Sequence, residues 1–191
     1  MTTKIKTKSN SLINLFTALR TSQLFWIISF TILTAIAAQI TMPVKPVPFT
    51  LQTMLVLLAG ALLGARNGAY SQVLYIALGV VGLPIFAYGT FGLPVLYGPT
   101  GGYLLAFPLA AYLVGYLVQK NKSYWGVVIS MFAANIFIII VGTLFLYLFY
   151  LQNFSEAITA GATIFTIWMV IKVFAAASIY FGISKKYETL P

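Results

Sequence analysis

Three prolines, Pro43, Pro46 and Pro48, lie within six residues of chain between two long apolar runs. Proline fixes φ, lacks a backbone N–H group and keeps the preceding residue out of the α region, so this segment cannot be regular helix. Irregular backbone at membrane depth is tolerated only where it is buried in protein or lines a cavity, because lipid cannot satisfy its polar groups. Residues 43–52 are therefore predicted to form a stiff loop that lines a ligand pocket.

The composition around this loop is that of an integral membrane protein. Hydrophobic residues make up 61% of the 191-residue chain and charged residues 7%, whereas soluble domains contain roughly 25% charged residues. At about 20 apolar residues per transmembrane helix, the chain is predicted to be all-α with six spans in one domain. These spans are placed at residues 24–40, 50–64, 69–83, 101–118, 124–151 and 163–183. Residues 1–23 then form a cytoplasmic or interfacial N-terminal segment, 24–183 the transmembrane domain and 184–191 a cytoplasmic tail.

The basic residues support this topology. Positive charges near span ends favour the cytoplasmic side of a membrane. With a cytoplasmic N-terminus, only Lys45 falls outside and Lys172 falls within the sixth span, while nine basic residues are inside: Lys4, Lys6, Lys8, Arg20, Arg66, Lys120, Lys122, Lys185 and Lys186. Both termini are therefore predicted to be cytoplasmic, with the chain spanning the cell membrane several times. Anionic lipid explains the net charge of +9, and no nucleic-acid partner is expected.

The N-terminal segment can be interpreted in two ways as regards its structure, and in two ways as regards its processing. Ser9 or Ser11 precedes a set of apolar residues that predicts a short interfacial helix: Leu12, Ile13, Leu15, Phe16 and Leu19. A frayed tail is the alternative. The basic stretch, the apolar run 24–33 and Ala35-Ile36-Ala37 also mimic a secretory signal. Cleavage there would leave an odd number of spans, so a retained first span is favoured.

The chemistry that the chain lacks argues against an enzyme. The sequence contains no His, Cys or Asp, and its two acids are Glu156 and Glu188. Paired carboxylates, a serine triad or an ordinary metal cluster cannot be built from that set. A phosphate-binding P-loop motif is also absent. We therefore predict no catalytic residues, no metal and no cofactor, and any ATP-driven activity would need another subunit.

A second interruption of the helical pattern runs from Gly79 to Tyr103. It is rich in glycine, proline and aromatic residues, and long loops within compact domains are usually functional or disordered. This one is too apolar to be disordered. Gly98, Gly101 and Gly102 are predicted to bring backbone N–H groups close to a bound group where the fourth span begins. A plain turn and helix start is the alternative.

Two residues inside the predicted spans are polar enough to need an explanation. Lys172 is too deep for easy snorkelling and has no acid nearby in sequence. It is predicted to meet a ligand carboxylate, or else to bond backbone carbonyls or face a wet crevice. Asn135 is predicted either to hydrogen-bond a ligand or to hold helices together. Lys45 is either a ligand contact or a solvated loop residue.

Several motifs together resemble the BioY family, the biotin-specific substrate-binding subunits (S components) of energy-coupling factor (ECF) transporters. The resemblance is strong from about Ala35 to Val118 and rests on these segments: PVPFTLQT at 46–53, LLAG at 57–60, residues 79–84, GPTGGY at 98–103 and FPLA at 107–110. It implies a six-helix S-component fold that binds biotin near the outer face. It also implies a transmembrane coupling subunit and two cytoplasmic ATPases as partners. One departure is that Met169 stands where family members tend to carry an acid, three positions before the lysine.

Biotin carries a ureido ring with two N–H donors and one carbonyl, an apolar fused ring and a carboxylate, so the resemblance assigns roles to individual residues. Hydrogen bonds are expected from Thr50, Gln52, Asn135 and the backbone of Gly98, Thr100 and Gly101. Ring packing is expected from Phe49, Tyr88, Tyr97, Tyr103 and Trp168. The carboxylate is assigned to Lys172 because of its depth, with Lys45 as the alternative on the outer side.

Small residues spaced four apart mark close helix contacts. Thr34-x-x-x-Ala38 is predicted to dock the coupling subunit, partly because the family uses its first helix for that purpose. Gly60-x-x-x-Gly64 is predicted to pack within the bundle. Two other functions remain open from the sequence: a stand-alone facilitator of biotin or another small acid, and a membrane assembly factor that transports nothing.

Overall fold

The computed structural model describes residues 22–162 and 166–185. Its elements, in chain order, are α1 (Gln23–Gln39), β1 (Thr41–Met42), β2 (Phe49–Thr50), α2 (Gln52–Val81), α3 (Leu93–Tyr97), α4 (Gly101–Lys120), α5 (Tyr124–Leu146), α6 (Phe154–Gly161) and α7 (Thr166–Ser184). A 3-10 turn at Ala87–Gly89 precedes α3, and a π-helical turn at Tyr147–Leu151 continues α5. The prediction of a helical fold is confirmed, with one addition. The predicted loop is held at its base by the antiparallel pairs Thr41–Thr50 and Met42–Phe49.

The helices fall where the spans were predicted, although their lengths differ. Among the described residues, three segments are long and apolar enough to cross a membrane: Gly101–Lys120, Tyr124–Leu151 and Phe154–Ser184, the last of which passes through residues 163–165. The apolar helix α1 has 17 residues. The second and third predicted spans are the two arms of α2. Six spans with cytoplasmic termini therefore remain a prediction.

Gly64 divides α2 into two arms, residues 52–63 and 65–81. Its φ of 79° and ψ of 176° interrupt the helix, in a region that residues with a Cβ atom rarely adopt. The arms fold back on each other, because a Cβ at Gly68 would lie 2.7 Å from the Cα of Gly60. The predicted break between the second and third spans is thus a tight bend rather than a loop.

Small residues bring α2 and α4 into backbone contact. A Cβ at Gly60 would overlap the carbonyl oxygen of Ala111, and one at Gly115 would overlap the backbone nitrogen of Ala65. Gly60-x-x-x-Gly64 and Ala111-x-x-x-Gly115 therefore face each other across one helix seam. The prediction that Gly60 and Gly64 pack within the bundle is confirmed.

The small-residue motif of α1, Thr34-x-x-x-Ala38, packs against α2 of the same chain. Thr34 and Ala38 are fully buried, and Thr34 Oγ1 accepts a hydrogen bond from Gln72 Nε2 on α2 at 3.3 Å. The prediction that this pair docks a separate subunit is therefore wrong, because the close approach it permits is taken by α2. The opposite face of α1 exposes Ile32 and Ile36.

Four of the six basic residues that the structure describes gather at one end of the bundle: Arg66, Lys120, Lys122 and Lys185. Gly64, two residues before Arg66, lies against the side chain of Gln119, the neighbour of Lys120. The ring of Tyr124 lies 5.4 Å from that of Phe181, which brings Lys122 and Lys185 to the same end. This end is separated by the length of α4, about 30 Å for 20 residues, from the loops at the other end. The basic residues Lys4, Lys6, Lys8, Arg20 and Lys186 and the predicted interfacial helix lie outside the described residues.

Candidate ligand-binding site

A cavity of about 250 Å³ lies under the two proline-rich connections, at the end opposite the basic residues. We call it the inner cavity. Its wall comes from the loop and first turn of α2 (Pro46, Val47, Pro48, Thr50, Gln52, Thr53), from the connection between α2 and α4 (Phe86, Ala87, Tyr88, Thr90, Val95, Thr100), and from α4, α5 and α7 (Tyr103, Leu104, Phe107, Asn135, Ile138, Ile139, Met169, Lys172). An apolar wall with a few placed polar groups is typical of small-molecule sites. The prediction that both connections line one pocket is confirmed.

Lys172 places a buried cation in this wall. Its side chain is 6% exposed, and Nζ donates hydrogen bonds to the carbonyl oxygen of Thr50 at 3.3 Å and to Thr53 Oγ1 at 2.6 Å. The same nitrogen lies 4.3 Å from the centre of the Phe49 ring, within the range of a cation–π contact. The two sequence-based interpretations are therefore compatible, because Lys172 bonds a backbone carbonyl and still lines the inner cavity.

A chain of buried hydrogen bonds fixes the amide of Gln52. Thr50 Oγ1 donates to Gln52 Oε1 at 2.8 Å, and Gln52 Nε2 donates to the hydroxyl of Tyr75 at 2.6 Å. The Tyr75 hydroxyl in turn donates to the carbonyl of Ile85 at 3.1 Å. Because an amide nitrogen carries two N–H groups, Gln52 has a second donor beside the one that Tyr75 accepts. The chain also ties the first connection to the second.

Asn135 presents a buried donor whose partner is missing within the described chain. The side chain on α5 is 2% exposed and lines the inner cavity. Its Nδ2 has no hydrogen-bond partner among the described residues. Leaving a buried polar group unsatisfied costs about 1–3 kcal/mol, and such groups call for an explanation. A ligand acceptor in the cavity would satisfy it.

Seven of the thirteen predicted binding residues line the inner cavity: Thr50, Gln52, Tyr88, Thr100, Tyr103, Asn135 and Lys172. Tyr103 is buried, and its hydroxyl donates to the carbonyl of Gly161 at 2.9 Å, which connects α4 to α6. Tyr88 is exposed at the outer rim and has a φ of 60°. The fourth-helix start therefore contributes Thr100 and Tyr103 to the wall.

The other six predicted residues are not among those that line the inner cavity, and their contact with a ligand stays a prediction: Lys45, Phe49, Tyr97, Gly98, Gly101 and Trp168. Lys45 is exposed on the loop. Phe49 is buried behind Lys172, and its ring lies 5.1 Å from that of Trp168. Tyr97 is 73% exposed.

Gly98 and Gly101 take part in the turn before α4. The N–H of Gly98 donates to the carbonyl of Val95 at 3.1 Å, and the N–H of Gly101 donates to the carbonyl of Gly98 at 2.9 Å. A Cβ at Gly101 would overlap the carbonyl oxygen of Leu96. These hydrogen bonds form a turn and a helix start, as the alternative interpretation expected, while ligand contact by Gly98 and Gly101 stays a prediction.

Sequence reasoning missed Thr53 and Met169, which both line the inner cavity. Each is three positions from a residue that was identified, Thr53 from Thr50 and Met169 from Lys172. Residues three apart share a helix face, so Met169 was detectable from helical periodicity. Thr53 was harder to find, because its importance depends on a lysine 119 positions later in the chain.

A second, more open space of about 380 Å³ lies beside the inner cavity. We call it the outer groove. It is lined by Pro46 and by residues at the end of α5 and on α6: Leu151, Ser155, Glu156, Thr159 and Ala160. Glu156 is exposed there. The acid in this region therefore lies outside the inner cavity, and Pro46 contributes to the walls of both spaces.

A sequence profile described as the BioY family matches residues 5–189. The chain belongs to the BioY family. A Thermotoga maritima protein named biotin transporter BioY is 38% identical over 157 residues, which cover 82% of this chain and 92% of that protein. A Lactococcus lactis subsp. cremoris protein named biotin transporter BioY2 is 36% identical over 140 residues, or 72% of this chain and 76% of that protein.

A solved structure supports the same assignment. The S-component for biotin from an ECF-type ABC transporter superimposes with a TM-score of 0.81 at 27% sequence identity, over 85% of this chain and 90% of that one. The resemblance predicted from the two proline-rich motifs is thus confirmed for the BioY family and for its fold.

Proposed function

We propose that this BioY-family chain binds biotin in the inner cavity and is the substrate-capture subunit of an ATP-driven ECF-type vitamin importer. One observation carries the proposal: a mostly apolar cavity combines a buried ammonium group, Lys172, with an unpaired buried amide donor, Asn135. Biotin needs that combination, because an apolar fused ring separates its ureido group from its carboxylate.

Each part of biotin has a counterpart in the wall. Lys172 would donate to the carboxylate. The Asn135 amide nitrogen would donate to the ureido carbonyl, and the hydroxyl of Thr100, another lining residue, would accept from a ureido N–H group. Phe86, which is 1% exposed, and Tyr103 would pack on the fused rings. Aromatic packing with a few polar contacts is the usual basis of affinity in such sites.

The energy for uptake would come from other polypeptides. The sequence has no nucleotide-binding motif and only two acids, so ATP hydrolysis and a proton relay through membrane carboxylates would both need another subunit. We therefore propose a transmembrane coupling subunit and two cytoplasmic ATPases as partners. The basic end would face the cytoplasm and the inner cavity the outside, in a six-span topology in the cell membrane.

Titration calorimetry on the purified whole chain in detergent tests the proposal. We expect saturable, one-to-one binding of biotin, weaker binding of desthiobiotin, whose fused ring is opened, and no binding of unrelated vitamins. An absence of biotin binding by folded protein would refute the proposed ligand. Reconstitution with and without ATPase subunits then separates a capture subunit from a stand-alone facilitator, because only the facilitator takes up biotin alone.

Replacement of Asn135 by leucine is expected to have opposite effects on stability and on binding. Leucine is similar in size and removes the unpaired donor, so the thermal midpoint should stay the same or rise. The biotin Kd should increase about 3- to 10-fold through loss of one hydrogen bond. Calorimetry and thermal melting measure the two effects, with Asn67→Leu at the basic end as the control. A fall in stability with unchanged affinity would assign Asn135 to helix packing instead.

A further inference from the structure

The side chain of Gln39, the last residue of α1, reaches across to the second proline-rich connection. Its Nε2 donates hydrogen bonds to the carbonyl oxygens of Phe86 at 3.0 Å and Ile85 at 3.3 Å. Its Oε1 accepts a hydrogen bond from the N–H of Gly89 at 3.0 Å. Nε2 also lies 3.3 Å from the carbonyl oxygen of Ala35, one turn back on α1. A single amide therefore bonds the second connection at two places and ties both of them to α1.

The backbone that Gln39 holds belongs to the wall of the inner cavity. We call residues 86–90 the wall turn, and four of them line the cavity: Phe86, Ala87, Tyr88 and Thr90. The N–H of Phe86 donates to the carbonyl of Thr90 at 3.1 Å, and the N–H of Thr90 donates to the carbonyl of Ala87 at 3.3 Å. These internal bonds give the turn its shape, but they do not fix its position relative to the helices.

The two ends of the wall turn are held in different ways. The Phe86 ring is 1% exposed and lies 5.5 Å from the ring of Tyr75. It also fills the notch at Gly79, where an added Cβ would overlap it. Phe86 is thus anchored in the bundle without Gln39. At the other end, the bond from Gly89 to Gln39 Oε1 joins the turn to α1.

Tyr88 needs a contact that holds its backbone. Tyr88 has a φ of 60° and Gly89 a φ of 66°, a left-handed region that residues with a Cβ atom rarely adopt. Such a conformation persists where the surrounding structure enforces it. The bond from the Gly89 N–H to Gln39 Oε1 holds the peptide group that directly follows Tyr88. It therefore sets the direction of the Tyr88 side chain, which is 56% exposed at the rim of the inner cavity.

From these contacts we propose that Gln39 is a positioning residue for ligand retention: it holds the wall turn so that Tyr88 covers the rim and slows the release of bound biotin. The inference rests on the proposed function. Gln39 is not among the residues that line the inner cavity, so it acts through the turn rather than by touching the ligand. Changes in a binding site usually alter the dissociation rate more than the association rate, and covering of the rim is such a case.

Gln39→Met keeps the length of the side chain and removes both its donors and its acceptor. The purified whole chain is loaded with labelled biotin and chased with an excess of unlabelled biotin. We expect release to be about 3- to 10-fold faster than in the wild type, the effect of one hydrogen bond, with the association rate within about twofold. Gln23→Met is the matched control, because Gln23 is exposed at the opposite end of the same helix, and it should release biotin at the wild-type rate.

Thermal melting without ligand separates positioning from a general structural role. Gln39 is exposed, and surface substitutions usually change stability little, so the midpoint of Gln39→Met should match that of the wild type. Faster release at an unchanged midpoint supports the proposal. A lower midpoint together with slower association would make Gln39 merely structural.

A double-mutant cycle tests the route through Tyr88. Tyr88→Ala should itself speed the release of biotin, because the rim loses its cover. If Gln39 acts through that side chain, adding Gln39→Met to Tyr88→Ala should change the release rate by less than about twofold, since the effects of coupled residues do not add. The same acceleration by Gln39→Met in both backgrounds would overturn this route.

The wild-type measurement separates the inference from the function on which it rests. No binding of biotin by the folded wild type would overturn the proposed function and the inference with it. Biotin binding with equal release rates in the wild type and in folded Gln39→Met would overturn the role of Gln39 alone.

Discussion

Replacement of Lys172 by methionine is expected to weaken biotin binding by about 10- to 100-fold. A hydrogen bond to a charged group contributes about 1.5–3 kcal/mol, and each 1.4 kcal/mol is tenfold in Kd. Methionine retains the length and the apolar stem of lysine, so the loss reports on the charge rather than on a hole in the wall. Titration calorimetry on the purified variant measures the change in Kd.

The same variant should not unfold the protein. Lys172 is buried without an acidic partner in the described chain, and removing an unpaired buried charge is neutral or stabilising when the replacement packs well. The thermal midpoint of Lys172→Met should therefore match or exceed that of the wild type. A loss of affinity accompanied by a lower midpoint would point instead to a role of Lys172 in bracing the Thr50 carbonyl.

Lys45 is the matched control, because it is the other lysine at the cavity end of the described chain. It is exposed and does not line the inner cavity, so Lys45→Met should leave the Kd of biotin within about twofold, as expected for a surface change distant from the ligand. Unchanged affinity in Lys172→Met together with a large loss in Lys45→Met would reverse the assignment of the carboxylate.

Helix positions were predictable because the backbone N–H and C=O groups of a chain in lipid have few ways to form hydrogen bonds. Apolar runs of suitable length must be helical there, and the prolines from Pro43 to Pro48 exclude helix locally. These two constraints are local, so residues 24–40 and 101–118 were placed within about two residues of α1 and α4 at most boundaries. The second predicted span ended at residue 64, where the structure bends α2 through the positive φ of Gly64.

The contacts of individual site residues were less predictable, because they depend on which helix faces which. Thr34 and Ala38 have the right spacing for a docking surface, but spacing does not say whether the partner is another chain or α2. Phe49 and Trp168 are aromatic and near the pocket, yet their rings pack against each other at a tilt. Likewise, the link between Thr53 and Lys172 joins elements that are adjacent only after folding.

Gly115→Leu is expected to be the most destabilising of these changes, because the first side-chain atom already overlaps backbone. A Cβ at position 115 would contact the backbone nitrogen of Ala65 and the carbonyl carbon of Gly64, and backbone at a tight bend cannot move aside as a flexible side chain can. Overpacking usually costs about 1–3 kcal/mol, and we expect at least about 3 kcal/mol here. That loss corresponds to a fall of about 10 °C in the thermal midpoint.

Gly182→Leu is the control that separates packing from helix propensity. Gly182 is also within a helix, α7, but apart from its own stretch of helix no heavy atom of the described chain lies within 4 Å of the position where its Cβ would be. Since leucine favours helix over glycine by up to about 1 kcal/mol, this variant should be as stable as the wild type or more so. Thermal melting of both purified variants, followed by tryptophan fluorescence, should give shifts of opposite sign. Similar shifts in the two variants would contradict a tight backbone contact between α2 and α4 at Gly115.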